Sequence, residues 1–154
     1  MSDLSSSFFD ANDAITRLKA RVPDLVHVGG ARDLGNATYE TVRAPTAWVV
    51  VMSETAGPVR YESCGFIEVE VTARFGVILA VRDIADRTGT AARTALRPLR
   101  VAVQGAMCSW QPVGSNHACR FARGALTSGI GRDGMMFWQD EFTVGFDRRI
   151  IVEA

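Results

Sequence analysis

The chain has 154 residues and a formal net charge of zero, with 17 basic and 17 acidic side chains, so it carries no cationic excess of the kind that neutralises a nucleic-acid backbone. Its 47% hydrophobic content is too high for a disordered chain, and a chain of this length buries enough surface for one core without staples. The whole chain, residues 1–154, is therefore expected to be one domain.

Ser7-Phe8-Phe9-Asp10 opens the first predicted helix, with Ser7 as cap and Asp10 three residues on. Phe8, Ala11, Ile15, Leu18 and Val22 then share one helical face, and Pro23 ends it. Leu25–Val28 reads as a short strand, and Gly29-Gly30 and Gly35-Asn36 as an irregular connection. Thr46–Ser53 is apolar on both faces, as a doubly covered strand would be. Glu54–Gly65, with Gly57, Pro58 and Gly65, reads as a loop or hairpin tip.

Phe66–Arg82 alternates most clearly: Ile67, Val69, Val71, Ala73, Phe75, Val77, Leu79 and Val81 face one way. Glu68, Glu70, Thr72 and Arg74 face the other, so one end of this strand leaves the core and shows a charged face. Thr90–Met107 is the second long helix, with Ala92, Leu96, Leu99, Val103 and Ala106 as its stripe and Pro98 as a kink or break. After the polar segment Gln111–His117, Cys119–Ser128 and Met135–Ile151 form a hairpin. Helical crossovers between neighbouring strands are missing from this pattern, so the expected fold is α+β. Its mostly antiparallel sheet has about five strands, and both main helices pack on one face.

No motif points to catalysis. Gly129–Gly134 matches G-x-G-x-x-G, but the strand-like Met135-Met136-Phe137-Trp138 follows where a nucleotide-binding loop needs a helix. Cys64, Cys108, His117 and Cys119 lack the tight pairing of structural zinc sites, and an odd cysteine count argues against a disulfide framework. His27 and His117 sit beside no nucleophile motif. No catalytic, cofactor or metal residues are therefore expected. With no export segment near Met1 and no bilayer-length apolar run, a reducing cytoplasm is the expected place of synthesis and no membrane partner is expected. The basic side chains are all arginine except Lys19; either a GC-rich genome or protein interfaces would give that bias. Arg93, Arg97 and Arg100 form a helical flank that suits a solvated face or an acidic partner. Asp140 breaks the apolar face of Met136, Trp138, Phe142, Val144 and Phe146, so it needs a partner, with an arginine the obvious donor.

Several segments carry a family resemblance. Leu96-Arg97-Pro98-Leu99-Arg100 begins a helix ending near Trp110; Arg120-Phe121-Ala122-Arg123-Gly124 and Phe137-Trp138-Gln139-Asp140-Glu141-Phe142 follow. With the Ile15-Thr16-Arg17-Leu18 helix and the Trp48–Met52 strand, these resemble the tail-terminator proteins of long-tailed bacteriophages, particularly those of Mu-like phages, over roughly Asp10 to Arg149. The resemblance implies a small domain with a helix-flanked sheet and no catalytic residues. It also implies a homohexameric ring that caps the tail tube, ends its growth and meets the head-side connector. Such a protein contacts the tail tube protein and the connector or neck protein and resides at the tail–neck junction of the virion after assembly in the host cytoplasm. It reads no nucleic-acid sequence, although DNA passes through a ring lumen. The alternatives are another neck or tail-completion protein, or a small bacterial ligand-binding protein. The candidate subunit or tail-tube contacts are Glu54, Thr55, Val59, Arg60, Tyr61, Glu68, Glu70 and Arg74 on an arm ordered only in the ring, with Arg93 and Arg97 on the helical flank; Asp140 is the structural polar residue.

Overall fold

The computed structural model describes residues 7–36, 45–82, 90–128 and 135–152. In chain order these form α1 (Ala11–Arg21), β1 (His27–Gly30), α2 (Ala31–Asn36), β2 (Thr46–Glu62), β3 (Phe66–Arg82), α3 (Thr90–Cys108), β4 (Arg120–Ser128) and β5 (Met135–Ile151). The five strands make one mixed sheet in the order β1-β2-β3-β5-β4. Three pairings are antiparallel and β1–β2 is parallel. The fold is α+β with a mostly antiparallel sheet, as the sequence predicts. The parallel pair is a departure from the expected lack of crossovers. Its connection contains α2, a helix hidden by the glycines around it, in the segment read as irregular.

Helix α1 begins later than the sequence suggests. Asp10, not Ser7, is the N-cap, accepting from the Asn12 amide at 2.9 Å. The cause is local: a carboxylate one residue before Ala11 satisfies an exposed amide directly. Phe8 therefore precedes the helix and is exposed instead of lying in its stripe, while Ala14 and Leu18 are buried. Pro98 lies inside α3 on its exposed side, and the helix runs as one element from Thr90 to Cys108.

Strand alternation decides the core. Phe75, Val77 and Leu79 of β3, Phe142, Val144 and Phe146 of β5, and Ala47 and Val49 of β2 point to one face. There they meet Ala14 and Leu18 of α1 and Leu96, Leu99, Val103 and Met107 of α3. Phe9 stacks on Phe75 at 4.3 Å, Phe75 on Phe142 at 5.5 Å, and Phe121 meets Phe142 edge-on at 5.9 Å. These offset contacts each add about 0.5–1.5 kcal/mol to simple burial. On the opposite face Trp48, Ala80 and Met135 form a smaller cluster that includes Leu34 of α2. No described helix is long and apolar enough to cross a membrane.

The segment Glu54–Gly65 is not a loop. Strand β2 continues to Glu62, and the turn is confined to Ser63–Gly65, where the Ser63 hydroxyl accepts from the Phe66 amide at 3.2 Å. Gly57 and Pro58 fall at a register shift between Ala56 and Val59. A bulge at an outer strand absorbs both residues, because proline's missing donor costs nothing there. β3 and β5 stay paired to their ends, with Phe66 opposite Ile151. The result is a three-stranded arm of β2, β3 and β5 that outruns the helices. Only the first part of Thr46–Ser53 is covered: Thr46–Val49 is buried, whereas Val51 and Met52 are exposed.

Candidate functional site

The arm has two faces with different chemistry, both fixed by the two-residue period of its strands. On the face away from α1 and α3, the predicted contacts Arg60, Glu68, Glu70 and Arg74 meet partners on β5, on one another's strands and on the segment before β4. Arg60 donates to Glu70 at 3.0 Å and to Asp147 at 2.7 Å. Asn116 donates its side-chain amide to the same two carboxylates, at 2.9 and 3.0 Å. Arg149 pairs with Glu68 and lies over the Phe66 ring at 4.4 Å. Glu141, buried despite its charge, takes Arg74 at 3.5 Å and Arg123 at 3.2 Å.

Glu68, Glu70 and Arg74 stand on a charged sheet face, where β5 runs alongside β3: Arg149 lies opposite Glu68, while Asp147 lies opposite Glu70 and the two carboxylates share Arg60. Four cations, Arg60, Arg74, Arg123 and Arg149, meet four anions, Glu68, Glu70, Glu141 and Asp147. Each exposed pair contributes only about 0–1 kcal/mol. Their charges cancel, so these eight side chains form no cationic cluster of the kind that grips phosphates.

On the other face Arg148 is the organising group. It donates to Glu54 at 2.8 and 3.0 Å and to the Ser7 carbonyl at 3.1 Å, and its guanidinium lies 3.7 Å over the Phe8 ring. The bidentate bond holds the Glu54 carboxyl below its usual range, against the opposing effect of partial burial. Arg148 thus ties the N-terminal segment to the root of the arm. The cost is one orphan donor: its Nε is buried without a hydrogen-bond partner.

Several apolar side chains are exposed at the arm's end. Val59, Tyr61, Ile150 and Ile151 are between 46 and 61% exposed at its end, and Val152 follows them at 41%. Tyr61 leans on Phe66, with ring centroids 5.3 Å apart. Thr55 is also exposed. On α3, Arg97 is exposed and the side chain of Arg93 lies outside the described residues.

The third member of that flank turns inward. Arg100 grips the fully buried Asp140, with Nη2 at 2.9 Å from Oδ1 and Nε at 3.2 Å from both oxygens. Trp138 donates its indole N–H to the same carboxylate at 3.0 Å and offers its ring to the Arg100 guanidinium at 4.4 Å. Gly124 of β4 makes room for this set, since a Cβ there would stand 2.7 Å from Asp140 Oδ1. The arrangement satisfies a charge within the core and presents no reacting group to a cleft.

The remaining titratable candidates do not converge. Cys119 is buried and its thiol is pushed up to about 12, first by burial and then by neighbouring Cys108. His117 accepts from the Gly145 amide at Nε2, 3.2 Å, which leaves Nδ1–H to donate to the Ala118 carbonyl at 2.7 Å. Among the described residues no group of three or more His, Cys, Asp or Glu is placed to hold a metal ion. The glycine motif Gly129–Gly134 lies outside the described residues.

Sequence reasoning missed Arg148, Arg149, Asp147, Glu141, Arg123 and Asn116 as partners of the arm. The available signal was the second face of β5, where Glu141, Thr143, Asp147 and Arg149 recur at every second or fourth position. No curated protein matches the chain. The family described as phage tail terminator protein matches residues 4–153. Across nearly its whole length, then, the chain belongs to the phage tail terminator protein family, a family of structural components of the virion tail.

Proposed function

We propose that six copies of this chain close into a ring that caps the head-proximal end of the tail tube, stops its elongation and offers its other surface to the head-side connector. The observation that carries this reading is the arm: a long, paired projection most of whose charges are paired internally and whose end groups exposed apolar side chains. Exposed apolar side chains grouped at one end of a small domain mark a protein contact. Within this reading Val59 and Tyr61 make the contact, on a neighbouring copy or on the tube. Glu54, Thr55, Arg60, Glu68, Glu70 and Arg74 shape the arm around them, while Arg93 and Arg97 offer a cationic flank to the tube or the connector. The role is mechanical, with no cofactor and no catalysis. DNA crosses the lumen without being read, and the ring, assembled in the host cytoplasm, resides at the tail–neck junction of the virion.

The test is to make Val59→Asp/Tyr61→Asp and follow both assembly and folding. Circular dichroism should be unchanged, while the ring is lost and tails grow past their normal length. Normal-length tails that still join heads would remove the arm from the contact. Electron microscopy of wild-type particles should show six-fold symmetry at the neck; twelve-fold symmetry would assign the chain to the connector instead.

A further inference from the structure

The sheet has two open edges, and they are suited to each other. β1 covers β2 only from Thr46 to Val49, where it pairs with His27–Gly30. From Val50 to Glu62 no described strand lies on that side of β2. At the opposite border β4 pairs only with β5, leaving its outer side open among the described residues. Sheet edges are templates for further strands, and monomeric proteins blunt or cover them; on the first edge Pro58 and the register shifts around it interrupt the ladder, so that added pairing falls on either side of Gly57-Pro58. Here both edges show apolar side chains: Val51, Met52, Val59 and Tyr61 on one, Phe121 and Leu126 on the other. Their charges also differ in sign. Exposed Glu62 ends the first edge and exposed Arg120 begins the second, and neither has an ion-pair partner among the described residues.

Strand sense agrees. β2 and β5 run one way, β3 and β4 the other. Copies set side by side in the same orientation therefore bring β4 antiparallel to the next β2, the more favourable pairing. The offset between the edges is equally telling. β4 is centred on Gly124, level with Asp140 and so with Val77 of β3. The free edge of β2 is centred near Ala56, level with Val71. Six residues along β3 correspond to roughly 20 Å at ~3.3 Å per residue. Four strand spacings from one β2 to the next span about 19 Å. For copies at one height on a ring, a stagger equal to the width means strands tilted about 45°, at the upper end of the usual 35–45° of closed barrels.

We infer that β4 of one copy adds to the free edge of β2 on the next, so that one sheet runs continuously around the assembly. Resting on the ring proposed above, this names the two surfaces that build it. The contact is head-to-tail, the kind that closes into a ring when the rotation permits.

Disulfide trapping tests it. In a chain carrying Cys64→Ser, Cys108→Ser and Cys119→Ala, cysteines are placed in pairs, one at Thr55, Val59 or Tyr61 and one at Phe121, Ala125 or Leu126. Within one chain β2 and β4 are three strand spacings apart, about 14 Å, beyond the ~7 Å Cα reach of a disulfide. Any bond is therefore between copies. Oxidation of the ring should give a ladder ending at six chains for at least one pair, at least tenfold stronger than for either single cysteine and erased by reduction. Circular dichroism of every variant confirms folding. Folded variants that assemble into rings by microscopy yet cross-link at no pair would overturn edge pairing while leaving the ring intact. A parent chain that stays monomeric at all concentrations would overturn both.

Discussion

Removing the Asp140 carboxylate is the sharpest perturbation the core permits. In Asp140→Ala the Arg100 guanidinium loses both contacts and the Trp138 indole N–H loses its acceptor. Breaking a fully buried pair costs about 3–5 kcal/mol, because the surviving charge stays desolvated. The Arg100 side chain is 28% exposed, so it recovers part of its hydration by turning outward, and the expected loss falls to about 2–4 kcal/mol. For a domain of this size each 1 kcal/mol moves Tm by about 2–4 °C; the variant should melt roughly 5–15 °C lower. Arg100→Ala should cost at least as much, since it strands a carboxylate that is 0% exposed. The double variant should lose clearly less than the sum, by about 1–3 kcal/mol, because the two groups share one interaction. Urea titrations of the four proteins measure this directly. Single variants within about 0.5 kcal/mol of the parent, or additive losses, would refute the account of a buried pair whose halves depend on each other.

Gly124→Ala should act on the same cluster from the opposite strand: a Cβ would stand 2.7 Å from Asp140 Oδ1 and 2.8 Å from Arg100 Nη2, so about 1–3 kcal/mol of stability should be lost in the same titration. Glu54 titrates lower when folded than its ordinary value of 4.5, so its bond to Arg148 stabilises above the unfolded value and is lost as pH falls through the folded one. Glu54→Gln should therefore flatten stability against pH in that acid range, and an unchanged profile would argue against the pair. Iodoacetamide at neutral pH should label exposed Cys64 and Cys108 in the native chain. Cys119, buried with its thiol at about 12, should react only after unfolding; mass spectrometry counts the adducts, and native labelling of Cys119 would contradict its burial.

What the sequence made legible followed from unbroken periodicity. β3 announces itself by alternation from Ile67 to Phe75 and β5 by the apolar series Met136, Trp138, Phe142, Val144 and Phe146 on one face, and α3 by its stripe of Leu96, Leu99 and Val103. Asp140 was conspicuous because it violates such a pattern, yet nothing local distinguishes Arg100 from the exposed Arg97 beside it on the chain. Their difference is an orientation set by packing. The arm was misread where local signals are real but overruled: Gly57-Pro58 is turn chemistry, and only the neighbouring strand shows that a bulge absorbs it. The Arg148–Glu54 bond joins residues 94 apart, and β1 pairs in parallel through a connection whose helix is masked by glycine. Long-range partners of this kind leave no periodic trace.

The arm's internal pairing also decides what kind of contact it can make. An arginine already held by a carboxylate must break that bond before it can pair with a partner protein, so the exchange yields little net free energy. Arg60 is doubly engaged, and Asn116 donates to the same oxygens, Glu70 Oε2 and Asp147 Oδ1. These charges therefore keep three strands in register and exclude unsuitable partners, since a like charge set against either member of a pair is repelled. The affinity must come from surface that loses nothing on burial, namely the Val59, Tyr61, Ile150 and Ile151 side chains at the arm's end. A lone two-stranded hairpin would be only marginally stable in water; three paired strands give the apolar end a rigid mount before any partner arrives. Less ordering entropy is then lost on contact. The paired strands give the arm the form of a strut, so that within the proposed ring assembly covers a surface whose backbone pairing is already supplied by the subunit.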